Sequence, residues 1–275
     1  MILTPANYYS LQANRAFFSV SQVKQFNACE ACTMAELAGE YVREKTAALL
    51  VGGYVDAYFS GELDAFKVEN PEIFTKKGEL RSEYLQAENI IARIERDALA
   101  MHMLSGEKQQ ILTGQIAGLP FKAKLDCWLD ESSAHKIAKV FPEMAELLFS
   151  AGAIVDLKIV KDFAPLYHDG EGRLNFIEYW GYDLQMAVYQ ELKRQQIGEQ
   201  VPCFILAATK EHVPDLGLFQ VPQSLMDANL ILLKDRLPHL AAVKDGCEPA
   251  EACGSCDHCK AVKELTGAVW LEEYA

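Results

Sequence analysis

No stretch of this 275-residue chain approaches the run of about eighteen apolar residues that a membrane span requires. Its start, Met1-Ile2-Leu3-Thr4-Pro5, lacks the basic-then-apolar layout of a signal peptide. A cytoplasmic protein with no membrane partner is the expectation. The 6 histidines form no cluster for nucleophilic catalysis, and neither a serine elbow nor a phosphate-cradling glycine loop is present. Positive charge is also scarce, with a net charge of -13. Affinity for a phosphate backbone comes largely from cations that release counterions, so a protein that coats nucleic acid non-specifically is excluded. An enzyme that confines its cations to a channel is not. With 50% hydrophobic and 24% charged residues the chain is neither disordered nor too polar to bury a sizeable core.

Without a secretory signal, the 8 cysteines read as thiols or metal ligands rather than as a disulfide framework. Cys127 and Cys203 fall in apolar, strand-like runs and are expected in the core, while Cys247 carries no signal. Cys253-Gly-Ser-Cys256-Asp-His-Cys259 sets three thiols at metal-ligand spacing, and Cys29-Glu-Ala-Cys32 offers a fourth. Cys29 with Cys253, Cys256 and Cys259 would close a tetrahedral Zn²⁺ site or hold a [4Fe-4S] cluster. His258 as a ligand and ordinary reduced thiols stay open as alternatives. A redox role for Cys29-x-x-Cys32 alone is weak, because the pair sits within this larger set.

Strand alternation places the acids. Apolar residues take every second position of 121–129, so Lys122, Lys124 and Asp126 share the opposite face. In 153–159, Ala153, Val155, Leu157 and Ile159 point one way and Ile154, Asp156 and Lys158 the other, within a run apolar enough for a sheet centre. Two carboxylates can hold a hard cation such as Mg²⁺ or Mn²⁺ that keeps several waters and takes further oxygens from a phosphate. Lys158 would then orient water or neutralise developing charge. By itself Asp-x-Lys is also compatible with a solvent-facing ion pair. On a helix expected over 178–196, Gln185 and Tyr189 lie four apart on one face, where Tyr189 could equally be core.

Further helices are expected at 19–29 behind a Ser19 cap, at 40–60 carrying Asp56, at 82–104 and at 223–244. Strands are expected at 109–115 and 121–129 around Gly118-Leu119-Pro120, then at 202–209 and 216–221. That order gives an α/β fold with one central mixed β-sheet flanked by helices. A single domain spanning 1–275 follows. It carries an N-terminal helical segment 1–45, an insertion 130–152 that looks helical over 140–149 after Pro142, and a cysteine segment 246–275.

Asp126, the strand Ile154-Val155-Asp156-Leu157-Lys158, and Gln185 with Tyr189 together resemble the PD-(D/E)xK nuclease superfamily, in particular RecE-like phage and prophage exonucleases with RecB-type nuclease motifs. Where RecE-like members carry a glycine followed four residues later by histidine, this chain has Gly52 and Asp56. A carboxylate is also an oxygen ligand, so the resemblance makes Asp56, Asp126 and Asp156 the metal ligands. The family proline is replaced by Leu125. The resemblance implies a restriction-endonuclease-like core and a Mg²⁺-dependent DNA exonuclease acting on linear duplex ends in phage-type recombination or end processing. It also implies a homo-oligomer and a recombinase partner. The distant Cys29 with a C-terminal triplet is similar to the iron–sulfur staple of AddB-type and CRISPR-adaptation nucleases, although their triplet is usually spaced more widely. From a different class, a non-catalytic nucleic-acid-binding accessory module with a structural metal is the competing expectation.

Overall fold

Two left-handed residues, Ala117 and Gly118 at φ 50° and 79°, turn the chain between β1 (Glu107–Ile116) and β2 (Leu119–Asp130). A pair of positive-φ residues matches the twist of the flanking strands, and the hairpin pairs antiparallel from Ile116 opposite Leu119 to Glu107 opposite Trp128. This computed structural model describes residues 1–148, 151–265 and 267. The chain continues through β3 (Gly152–Val160), a small hairpin of β4 (Leu166–His168) and β5 (Gly172–Leu174), and then β6 (Cys203–Thr209) and β7 (Leu216–Gln220).

The main sheet has the order β1-β2-β3-β6-β7. β3 is antiparallel to β2 but parallel to β6, so the sheet is mixed. A parallel neighbour requires a crossover, which here includes the helix Tyr182–Ile197. One sheet face packs Phe26, Leu125, Ile154, Met186, Leu192 and Leu237. The other packs Tyr54, Ile90, Ile94, Val155, Leu157 and Leu206. The expected α/β fold, with helices flanking a mixed sheet, is the one observed.

Several boundaries differ from expectation, and caps explain them. The helix expected over 40–60 begins only at Ala47: Gly39, left-handed at φ 83°, ends the helix Glu30–Ala38, and Thr46 caps the next by accepting from the Leu49 amide at 3.2 Å. Leu49 does not join the buried face of this helix and is 65% exposed. The helix expected over 82–104 divides into Ser82–Glu95 and Ala98–Met103, because Asp97 caps the Ala100 amide at 2.9 Å. Gly181, left-handed at φ 60°, likewise separates Phe176–Tyr179 from Tyr182–Ile197. In the insertion the order is reversed: the helix Glu131–Val140, capped by Asp130, precedes Pro142, which opens only the 3-10 turn Pro142–Met144. Position 149 of that expected helix lies outside the described residues. A side-chain oxygen that satisfies a helix-end N–H outweighs a few residues of weak periodicity.

The β1–β2 hairpin leaves no room beside its entry. A Cβ built on Gly106 would lie 2.1 Å from the Trp128 carbonyl oxygen, a backbone atom that cannot swing aside. Gly106→Ala should cost about 2–3 kcal/mol, measured as a lower urea midpoint with an unchanged slope. An unchanged midpoint would mean that the strand entry relaxes freely.

Candidate active site

The site lies where β2 and β3 separate. Their ladder runs only from Asp130 opposite Gly152 to Cys127 opposite Val155. Beyond it the Leu157 amide donates to Asp126 Oδ2 at 3.0 Å, so a side-chain carboxylate replaces the ladder carbonyl. Apolar alternation on β2 breaks at the same point. Phe121, Ala123 and Leu125 face one core, whereas Cys127 and Leu129 face the other. On β1, Gln109 stands between the partners of Leu125 and Cys127 with a left-handed φ of 54°.

Asp156 is fully buried beside this fork. Its Oδ1 accepts from Gln185 Nε2 at 2.7 Å, and its Oδ2 forms an ion pair with Lys158 but lacks a hydrogen bond of proper geometry. Lys158 Nζ lies 5.0 Å from the Tyr182 ring centroid, and Lys24 Nζ lies 5.2 Å from the same ring. Lys24 also donates to the Trp180 carbonyl at 2.8 Å. Asp56, on the helix Ala47–Ser60, approaches Gln109 Nε2 at 3.4 Å through each carboxylate oxygen.

These groups share one electrostatic field. Burial pushes the Asp156 carboxyl up to about 7, with Lys158 opposing and Asp126 reinforcing the shift. Burial and then the Asp126 charge likewise push Asp56 up to about 7. For Lys158, burial favours the neutral amine, but Asp156 and Asp126 outweigh it and hold the ammonium above its ordinary value. Burial and the like charge of Lys158 lower Lys24 to about 8. Burial, then Asp156 and Asp126, raise the Tyr189 phenol. Gln185 and Tyr189 also line a cleft of about 130 Å³ with Tyr8, Ser19, Ser21 and Lys24.

Crowded carboxylates that resist ionisation, one with a buried oxygen lacking a hydrogen bond, fit a cation. Asp126 and Asp156 at the fork offer only oxygen donors, which suits a hard one such as Mg²⁺ or Mn²⁺, whereas Asp56, set against Gln109, does not close with them a group as tight as that of the four cysteines. In chelator, the same crowding gives a pH signature. A folded state that holds protons with a pKa near 7 where the free carboxyl has 3.8 is stabilised at low pH. That contribution is fully present below about pH 4 and is lost as the pH rises through about 7. The urea midpoint of metal-free protein should fall across this window, and Asp156→Asn should flatten the fall. A flat profile for the native chain would contradict the assigned crowding.

Not every predicted cation belongs to the site. Lys122, expected on the face of Asp126, is buried and donates to the Tyr8 carbonyl and, at 2.7 Å, to Asn14 Oδ1. It fastens the N-terminal segment to β2, because Phe18 adds a parallel bridge at Phe121 and brings that segment over the strand. Lys124 lies 5.0 Å from the Tyr9 ring centroid. Lys161, the first residue past β3, also stays out of the site, with its side chain 92% exposed and 3.5 Å from Asp162. Conversely, sequence periodicity missed Lys24, Gln109 and Tyr182. Only Lys24 left a trace, one turn after Ser21 in the helix that the Ser19 cap predicts.

A second cluster lies away from the sheet. Sγ atoms of Cys29, Cys253, Cys256 and Cys259 all lie within 4.8 Å of one another. Among the described residues this is the metal-ligand group that the fold draws together. Backbone amides converge on the sulfurs: Cys32 N–H on Cys29 at 3.4 Å, Cys253 N–H on Cys29 at 3.5 Å, Cys256 N–H on Cys253 at 3.3 Å and Cys259 N–H on Cys256 at 3.4 Å. Donors from Ser255 and then the Cys256 amide lower the Cys253 thiol to about 5, and four thiolates fit zinc or a four-iron cluster. His258 is outside the group and packs its ring 5.2 Å from that of Tyr41. The tail is also tied by buried Glu30, which accepts from His239 Nε2 at 2.7 Å and from the Glu251 amide at 3.0 Å. Cys127 and Cys203 are core residues, as expected.

Comparison with known proteins agrees with this geometry. The crystal structure of a candidate exonuclease from Eubacterium rectale is 40% identical, superposes with a TM-score of 0.89, and is matched over 100% of this chain and 98% of its own. No curated protein matches the sequence. The family described as a PDDEXK-like domain of unknown function, DUF3799, matches residues 19–137 and 143–262. With its forked strands, paired carboxylates and adjacent lysine, the chain belongs to this PDDEXK-like family.

Proposed function

We propose that this protein is a metal-dependent deoxyribonuclease that hydrolyses phosphodiester bonds, working as an exonuclease on linear duplex ends. The observation that carries this is the buried Asp156, hydrogen-bonded by Gln185 and ion-paired with Lys158 beside Asp126 at the β2–β3 fork. Kinship with a candidate exonuclease supports it. Asp126 and Asp156 would hold Mg²⁺ or Mn²⁺, with Asp56 alongside, and the bound cation supplies polarisation of a phosphoryl oxygen and a lowered water pKa. Gln185 fixes the Asp156 carboxylate so that its second oxygen faces the site. Lys158 keeps its proton and places positive charge where the attacked phosphate gains negative charge. Tyr189, protonated throughout the physiological range, is an O–H donor on the same helix face as Gln185.

A role in phage-type recombination or DNA end processing, a RecE-like homo-oligomer and a recombinase partner extend this reading by resemblance. The cysteine cluster is read as a structural [4Fe-4S] or Zn²⁺ centre that staples the N-terminal helices to the C-terminal segment. No helix among the described residues is long and apolar enough to cross a membrane. The test is incubation of pure protein with end-labelled linear duplex, closed circle and single strand, each with Mg²⁺, Mn²⁺ or chelator. Loss of linear duplex only in the presence of metal is expected. Binding without cleavage under every condition would instead support the non-catalytic accessory module.

A further inference from the structure

The segment between the helices Glu30–Ala38 and Ala47–Ser60 is non-helical and lies beside the cysteine cluster. Tyr41 packs against the sulfur group, and Arg43 comes from the same segment. Arg43 Nε donates to Glu36 Oε2 at 2.9 Å, while its Nη2 is buried with no hydrogen-bond partner. An orphaned guanidinium nitrogen is costly, so this position calls for an acceptor. Glu36 lies one turn from Cys32 on the same helix, and Cys32 packs in the sulfur group, so the Glu36 contact sets the guanidinium on that side of the cluster. Although burial of the guanidinium acts the other way, Glu36 and then the thiolate forms of Cys32 and Cys256 strengthen its hold on its proton. Cys32 is itself buried against the cluster but outside the four-sulfur group.

Four thiolates around a divalent zinc, or around an oxidised four-iron cluster, leave a double negative charge on sulfurs of which two, Cys29 and Cys259, are buried. We propose that Arg43, oriented by Glu36, is the charge-balancing partner of a metal–thiolate centre at Cys29, Cys253, Cys256 and Cys259. This inference rests on the reading that the four cysteines hold metal. Arg43 is a positioning residue, not a ligand. Its role is to slow loss of the metal by stabilising the thiolate form.

The experiment uses full-length chain purified without oxygen. Metal per chain is measured by elemental analysis, and release is followed after addition of an excess of chelator. Arg43→Met, which keeps the packing but removes the charge, should release metal about 10–100-fold faster than the native chain, the usual effect of removing an outer partner of a metal ligand. Arg43→Lys should fall between the two, because it keeps the charge without the planar donor. Circular dichroism of the metal-stripped proteins should be indistinguishable, separating metal retention from folding. A native chain without metal overturns the cysteine reading itself. A metal-bearing native chain whose Arg43→Met variant releases at the native rate overturns this inference alone. Equal leakage from Arg43→Lys and Arg43→Met overturns charge balance as its cause. If Arg43→Met does not fold, Glu36→Gln leaves the guanidinium but frees its orientation, and native-rate release from it would also count against the proposal.

Discussion

Asp156→Asn protein should leave linear duplex DNA uncut in Mg²⁺, with turnover reduced by at least about a thousandfold. Asparagine keeps the volume of a side chain that has no exposed surface and can still meet Gln185, so the loss would report charge rather than collapse. It would deprive Lys158 of its ion-pair partner and the site of its most buried carboxylate. Asp126→Ala should be equally inactive, because it removes the second carboxylate at the fork and the acceptor of the Leu157 amide. Lys158→Ala is different in kind. It should still bind metal, measured by calorimetry, while losing about a hundredfold or more in rate. Near-normal cutting by either aspartate variant would overturn the site. If Lys158→Ala lost metal affinity but cut normally in saturating metal, the lysine would be structural. Stability separates these outcomes from misfolding: in chelator the Asp156→Asn chain should still unfold in one cooperative transition, lowered at neutral pH because the buried Lys158 ammonium loses its partner.

Cys256→Ser should have the largest effect on the fold. The native chain is expected to carry about one metal centre, brown if iron–sulfur and colourless if zinc. Loss of one of four ligands should empty it, since apparent binding energies of structural zinc are on the order of 10 kcal/mol and act directly as folding energy. The sulfurs join residues more than two hundred positions apart: the amide of Cys253 reaches Cys29 and Glu251 reaches Glu30. Melting should fall by about 10 °C, and limited proteolysis should cut first around the tail. A native chain with no metal by elemental analysis, and a Cys256→Ser variant that melts like it, would reduce the cluster to ordinary thiols. Cys247→Ser, at an exposed cysteine outside the cluster, is the matched control.

The sequence determined what local periodicity and short spacing can carry. Period-two alternation assigned Val155 and Leu157 to one core and Ile154 and Asp156 to the other side, and the structure keeps that assignment. Four-residue spacing put Gln185 and Tyr189 on one helix face, where Gln185 meets Asp156. The thiol spacing pointed to Cys29, Cys253, Cys256 and Cys259, and these converge. Tertiary structure decided what depends on contacts between distant segments. Lys122 and Asp126 follow the same alternation, yet the N-terminal segment buries Lys122 under Tyr8 and Asn14 while β3 draws Asp126 into the fork. Lys24 comes to the site only because its helix packs beside Trp180 and Tyr182. Arg43 meets Glu36 only because Gly39 and Thr46 stop the helices on either side of it. A periodic pattern says which side of its own strand or helix a residue occupies. The partner waiting on that side belongs to another part of the chain, and burial against that partner sets whether a charge is a site, a fastener or a solvated surface group.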